Sequence, residues 1–320
     1  MAAIADPEVG SAQSTAALAP RSDSAPTERR AVFVLGMHRS GTSAVTRVLN
    51  LLGVELGQGL MTASPDNERG YWENLTIVQE HHQLLEALGS SWDDLRALPA
   101  DWMKNPAAVS AAHRLRAIVE REFSAAPLWG LKDPRLCRLL PLWLPLLRSM
   151  RMTPHFVLVL RHPAEVAASL AKRDRKSRAA AALLWLRHML EAERATRGLP
   201  RTIVNFADLI ENPRNWSAEF RRVAAECGLD WSNDYQAVDA AVGAFLSPDL
   251  RHHQTVAKSG ADDFGAWVQA VYDALRAPHC QTAECDRVAA EIERADQVWG
   301  RLAGASAAPE SGLSREALRD

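Results

Sequence analysis

Ala31-Val32-Phe33-Val34-Leu35-Gly36-Met37-His38-Arg39-Ser40-Gly41-Thr42-Ser43 is the stretch on which the fold turns. Its first five residues, Ala31 to Leu35, are apolar without alternation, the pattern of a strand buried on both faces of a parallel sheet. Gly36 and Gly41 then bracket a short loop carrying one cation, Arg39. From Ser43 to Leu52 apolar residues recur at helical spacing, and Gly53 is a natural stop. A strand, a glycine-bracketed turn and a helix N-terminus, in that order, make an anion site. The glycines permit the tight turn, the first helical amides point outward, and Thr42 and Ser43 add hydroxyl donors.

The ATPase version of such a loop is Gly, four residues, Gly, Lys, then Ser or Thr. Here Gly36 and Gly41 fit, but Thr42 stands where the lysine belongs and the cation has moved to Arg39. That exchange weakens a kinase or ATPase reading. An ordinary strand-to-helix turn is the plainer alternative. The agreement of strand, glycines, cation and hydroxyls argues against it.

Three more strands are expected outward from this loop. Leu128 to Leu131 ends at Lys132, His155 to Leu160 ends at Arg161, and Thr202 to Phe206 ends near Asp208. Helical patterns separate them: Pro163 to Lys172, Arg178 to Thr196, Pro213 to Cys227, and Ala266 to Leu302 with a break near Pro278. Strands alternating with helices predict an α/β chain, a three-layer α/β/α arrangement around a central parallel sheet of the P-loop kind. Ligands of such sheets gather beyond the carboxyl ends of the strands. Arg39, Lys132 and Arg161 are therefore expected to converge on one crevice. Glu55 to Asp101 reads as a loop, a helix from Ile77 to Leu88 and another loop, an insert over the mouth of the sheet where an acceptor would bind.

Residues 1–29 read as a disordered arm, 30–305 as one domain and 306–320 as a disordered tail. Hydrophobic residues make up 47% of the chain, enough for a large core, and the formal net charge of −2 gives no basic face for nucleic acid. No apolar leader or run of 18 apolar residues occurs, so neither a signal peptide nor a membrane span is expected. Cys137, Cys227, Cys280 and Cys285 lack zinc spacing and read as reduced thiols of a cytoplasmic protein, with a local Cys280–Cys285 disulfide as the alternative. His252-His253 lacks carboxylate or cysteine partners, so no metal site is expected. His81-His82 is expected on a helix surface. Trp92, Trp102, Trp143 and Trp185 are expected to pack in or beside the core, with one of them free to stack on a ligand.

Arg161-His162-Pro163 places a guanidinium at a strand end and a proline at a helix start, and Ser169 follows Arg161 by eight positions. Guanidinium and hydroxyl can pinch one phosphate between them. Alone this is weak. Two phosphate sites on one sheet, however, suit a nucleotide phosphorylated at both its 5′ and 3′ positions.

The pair resembles the two cofactor motifs of the sulfotransferase superfamily, whose 5′ loop reads roughly Pro-Lys-Ser-Gly-Thr-Thr and whose 3′ motif is Arg, Pro, then Ser eight positions after the Arg. Met37 to Ser43 is similar to the first, and Arg161, Pro163 and Ser169 match the second. Lys132-Asp133-Pro134-Arg135 resembles the strand-end lysine segment. Arginine in the first loop, together with Gly70-Tyr71-Trp72-Glu73, looks like the bacterial sulfotransferase-like family. The resemblance covers about residues 31–255.

What the resemblance implies is a central parallel sheet and 3′-phosphoadenosine 5′-phosphosulfate (PAPS) as co-substrate, with no metal. It places His38, Arg39, Ser40, Gly41, Thr42 and Ser43 around the 5′-phosphosulfate end and Arg161 with Ser169 on the 3′-phosphate. Arg251 would stand in the late basic loop that closes the 3′ site. Sulfuryl transfer is an in-line displacement in which negative charge grows on the leaving phosphate. Arg39 occupies the place of the family's loop lysine and would stabilise that charge, but arginine cannot donate a proton at neutral pH. Lys132 is the second cation. A histidine that one branch places two residues after this lysine is replaced by Pro134. Glu73 is then the general base, as in the carbohydrate-sulfating branches, with Glu68, Asp133 and His38 as rivals. The acceptor would be a hydroxyl or amine on a small molecule or glycan, with carbohydrate the first expectation.

Two other readings remain. A nucleotide kinase or NTPase predicts a lysine at position 42 and an acid at a neighbouring strand end, where Arg161 stands instead. A non-catalytic nucleotide-binding module keeps the fold and binds nucleotide without transfer to any acceptor.

Overall fold

A computed structural model describes residues 29–64, 67–246 and 263–306. The sequence-expected arm before Arg29, the tail after Ser306, and Arg251 with His252-His253 lie outside the described residues. The quoted stretch forms β1 (Arg29–Leu35), which lies inside a four-stranded parallel sheet with β2 (Leu128–Lys132), β3 (Met152–Leu160) and β4 (Arg201–Asn205). The order is β2-β1-β3-β4. Val34 pairs with Lys132, Leu35 with Leu158 and Leu160 with Asn205, so the carboxyl ends are nearly level. That register is what gathers the loops after β1, β2 and β3 at one edge of the sheet.

Both faces of the sheet are covered, which explains the unalternated strands. Ala31, Phe33 and Leu35 join one core layer with Trp129, Trp143 and Phe156, while Val32 and Val34 join another with Val45, Val157 and Val159. The first layer is roofed by α2 (Leu75–Ala87), α3 (Pro106–Phe123) and α4 (Leu136–Ser149). The second is roofed by α1 (Thr42–Leu51), α7 (Phe206–Glu211), α8 (Trp216–Cys227) and α9 (Tyr235–Phe245). A third cluster joins α5 (Pro163–Asp174), α6 (Arg178–Ala195), α10 (Asp263–Arg276) and α11 (Thr282–Ser306). The architecture is the expected α/β/α sandwich.

Several boundaries moved, each for a physical reason. Arg29 belongs to β1, not to the arm, because its guanidinium donates to the Phe123 carbonyl at 2.8 Å. Phe206 leaves β4 to open α7, capped by Asn205, whose side chain accepts from the Ala207 amide. Pro213 starts a single 3-10 turn before α8 begins at Trp216. The apolar Leu139–Leu147 stretch lies inside α4 despite Pro141 and Pro145. Each proline removes a backbone donor. Burial of nine residues of this helix, Trp143 among them, offsets the loss. No described helix is long and apolar enough to cross a membrane.

Candidate active site

The loop after β1 turns through two left-handed residues, Arg39 at φ 69° and Gly41 at φ 89°. Gly41 has a second reason to lack a side chain: a Cβ there would lie 2.1 Å from the Phe206 ring. It is also the N-cap of α1, so no side chain caps that helix and its first amides are left for another acceptor. The Ser40 hydroxyl is fully buried and has no hydrogen-bond partner among the described residues. An uncapped helix N-terminus beside an orphaned buried hydroxyl is a donor set that fits an oxyanion.

The second candidate anion site adjoins the first. Arg161 follows β3, and its Nη1 donates to the Arg39 carbonyl at 2.9 Å while its Nε donates to Glu165 at 2.9 Å. Its guanidinium lies 5.2 Å from the centre of the Phe206 ring, the ring that also excludes a side chain at Gly41. Arg39 Nε donates to Ser169 Oγ at 2.9 Å. Arg39 therefore bridges the two sites, a contact across 130 residues that the motif spacing does not reveal. His162 caps α5 by accepting from the Ala164 amide, and Pro163 sits in the first turn, so the strand-to-helix turn that aims Arg161 is fixed locally.

Lys132, at the end of β2, reaches the first site from the other side. Its ammonium donates to Ser43 Oγ at 3.3 Å and to the Tyr71 carbonyl at 3.1 Å, and forms a close ion pair with Glu73. Both charged side chains are buried. Trp72 makes this possible: its φ of 58° reverses the chain so that the Tyr71 carbonyl and the Glu73 carboxylate meet the same ammonium. A left-handed tryptophan costs about 1–2 kcal/mol. Arg47 stacked over the indole at 4.4 Å and an indole bond to the Arg69 carbonyl hold it there. Asn67 joins the cluster by donating to Ser43 Oγ at 3.3 Å and to the Gly70 carbonyl at 2.8 Å. Burial pushes the Glu73 carboxyl above the usual carboxylate range, opposed by Lys132.

Of the other base candidates, Glu68 is exposed and outside this cluster. Asp133 is fully buried and committed. His81 Nδ1 contacts Asp133 Oδ2 at 2.7 Å, while the Arg135 amide and Nη1 donate to Oδ1 at 3.0 and 2.9 Å. Burial opposes its ionisation, but Arg135 and the His81 hydrogen bond outweigh that and hold the carboxyl well below the usual range. His38 rests edge-on against Trp92, ring centres 4.6 Å apart, and burial with the charges of Arg173 and Arg135 keeps it neutral.

The surface expectation for His81 fails. His81 is fully buried and only His82 is exposed. Neighbouring helical side chains point about 100° apart, so one enters the core when the other leaves it. Trp143 Nε1 donates to His81 Nε2 at 2.9 Å, which makes Nδ1 the protonated nitrogen and the donor to Asp133. Trp102, Trp143 and Trp185 are buried in the core, as packing residues are expected to be. Sequence reasoning also missed Arg138. It is fully buried and donates to the carbonyls of Ser91, Asp94 and Arg96 at 3.2, 3.1 and 2.6 Å, strapping the Trp92 loop to α4. Among the described residues, no group of three or more His, Cys, Asp or Glu side chains is placed to hold a metal.

Among curated protein sequences nothing matches. Solved structures that resemble the fold weakly include two sulfotransferase domains. The sulfotransferase domain of the Synechococcus PCC 7002 olefin synthase is 16% identical, with TM-score 0.42 over 84% of this chain and 97% of that one. The sulfotransferase domain from the curacin biosynthetic pathway is 15% identical, with TM-score 0.37 over 84% and 99%. The model described as "Sulfotransferase family" matches residues 31–233, from the first residues of β1 to the turn before α9. That match spans more than half of the chain and contains both candidate anion sites and the Lys132–Glu73 pair, and on it the chain belongs to the sulfotransferase family.

Proposed function

We propose that this sulfotransferase takes its sulfuryl group from PAPS and passes it to an acceptor hydroxyl. One observation carries the reading: Arg39, on the loop after β1, is hydrogen-bonded to both Ser169 and Arg161 beyond β3, joining the two candidate anion sites. That arrangement suits a nucleotide with phosphates at both ends better than a single triphosphate. Thr42 in place of the ATPase lysine, and Arg161 in place of a strand-end acid, argue against a kinase. A non-catalytic module is disfavoured by the buried Lys132–Glu73 pair, a costly arrangement for a protein that only binds.

Each residue then has a role. Ser40, Thr42 and Ser43, with the amides of the α1 N-terminus, hold the 5′ end. Arg161 and Ser169 hold the 3′-phosphate, with Arg251 as a further candidate from outside the described residues. When bound, PAPS supplies a sulfuryl group activated by its anhydride to phosphate. Lys132 donates to the oxygens that gain negative charge, and Arg39 adds a fixed positive charge beside them. Glu73 accepts the acceptor's proton; a carboxyl raised by burial is better matched to that task than an ordinary one.

Calorimetric titration with 3′-phosphoadenosine 5′-phosphate (PAP), the desulfated product, tests the donor. Wild type should bind it, and Arg161→Ala should bind about 2–4 kcal/mol more weakly because a desolvated phosphate loses its partner. Wild type that ignores PAP and binds ATP with magnesium refutes the reading.

A further inference from the structure

Arg135 is the one cation of the Lys132-Asp133-Pro134-Arg135 segment that the proposed mechanism leaves unused. Its place is built from below. Trp143 donates to His81, His81 donates to Asp133, and Asp133 Oδ1 accepts from both the amide and Nη1 of Arg135. The three residues beneath it are all buried. Asp133 fixes only Nη1. The Nε–Nη2 edge of the guanidinium, the side-on fork that fits a carboxylate, makes no hydrogen bond among the described residues, and Nε itself is buried. A guanidinium whose Nε is buried without a partner, while the side chain as a whole keeps 13% exposure, is expensive to keep for structure alone.

Where Arg135 stands narrows the ligand. It makes no hydrogen bond to Ser40, Thr42 or Ser43 in the first anion loop; Lys132 serves that side. Arg135 stands in the turn between β2 and α4, three residues after Lys132, and its charge reaches both Glu73 and His38, the latter packed on Trp92. Arg173 and Lys176 approach the same Trp92 ring at 5.6 and 5.2 Å, so that side of the crevice is cationic. Asp174 and Asp93 pair with those two and limit their pull, leaving the Arg135 fork as the anion receptor.

We infer that Arg135 receives a carboxylate on the acceptor, so that the hydroxyl sulfated beside Glu73 belongs to a hydroxy acid. Arg135 is thus a specificity residue, and Asp133, His81 and Trp143 position it. The inference rests on the sulfotransferase reading of the crevice and assigns its acceptor class.

The test compares matched hydroxy acids and their methyl esters, aliphatic and aromatic, as acceptors with PAPS, in wild type, Arg135→Gln and Arg135→Lys. Wild type should prefer the acids by about tenfold or more in kcat/KM, the scale of one charge-assisted fork. Arg135→Gln should erase the preference through KM, and Arg135→Lys should restore part of it. PAP affinity should stay within about twofold in both variants, since the donor sites are untouched. Esters turned over as well as acids by wild type overturn the inference, as does a preference that survives Arg135→Gln. Equal loss on acids and esters places Arg135 on the sulfuryl group and also overturns it. Turnover of none of the acids by a protein that binds PAP counts against it too. Failure of wild type to bind PAP is a different signal and removes the donor reading beneath it.

Discussion

Glu73→Gln removes the counter-ion of a buried ammonium while keeping the shape of the side chain. Removing one partner of a buried ion pair costs about 3–5 kcal/mol. Lys132 keeps two acceptors, the Tyr71 carbonyl at 3.1 Å and Ser43 Oγ at 3.3 Å, so the expected loss is nearer 2–3 kcal/mol. For a chain of 320 residues that lowers Tm by roughly 3–5 °C. Loss of a general base should lower kcat by about 10²–10⁴-fold. Nucleotide binding should move the other way. Deleting a carboxylate beside Lys132 makes the first anion site more positive, so PAP affinity should hold or tighten. The pH profile supplies a further check. Burial raises Glu73, and the base works only when deprotonated, so the acid limb of wild-type kcat/KM should lie above the ordinary carboxylate value of about 4.3, with activity rising as pH rises through it. Glu73→Gln should lack that limb. Thermal melts, PAP calorimetry and release of PAP from PAPS in the presence of acceptor measure all of these. A variant with the expected Tm loss but kcat within about tenfold of wild type would refute the base assignment and leave Glu73 a structural partner of Lys132.

Two further outcomes follow from the same geometry. Gly41→Ala must place a Cβ 2.1 Å from the Phe206 ring at a φ of 89°, and the combined strain and overpacking should cost about 2–4 kcal/mol in urea unfolding. Because Arg161 rests on the same ring, PAP affinity should fall with it, whereas a site unaffected by the change would show that the loop and Phe206 are not coupled. His188 is fully buried in α6, and burial first, with the charge of Arg138, pulls it down to about 3. The unfolded chain then takes up this proton near pH 6.5 and the folded chain only near 3. Stability from this group is therefore complete above about pH 6.5 and is lost progressively as pH falls toward 3. His188→Leu should flatten that part of the curve; an unchanged slope would place the acid sensitivity elsewhere.

The sequence by itself determined the frame. Unalternated runs ending at Leu35, Leu131 and Leu160 are legible because strands buried on both faces need apolar residues at every position. Gly36, Gly41, Arg161 and Pro163 are legible because backbone turns and helix starts admit few residue types. The parallel register then brings Arg39, Lys132 and Arg161 to one edge, as expected from the strand ends alone. Glu73 was legible only through resemblance, since nothing local ties it to Lys132 across 59 residues.

What only the tertiary structure decided lies in contacts between distant segments. That Arg39 turns to Ser169, that Trp72 takes a left-handed backbone to present Glu73, and that His81 rather than His82 enters the core all depend on neighbours supplied from elsewhere in the chain. In the sequence Arg138 is one more basic residue just after the strand-end Lys132-Asp133-Pro134-Arg135 segment, of which Arg135 is the last residue. One becomes a loop strap and the other a fixed fork only when the Ser91–Arg96 loop and the Asp133–His81 chain close around them. Local spacing encodes periodicity and turn chemistry. The partner of a buried charge is chosen by which segments the fold packs together, because low-dielectric surroundings make each such pairing depend on every group within reach.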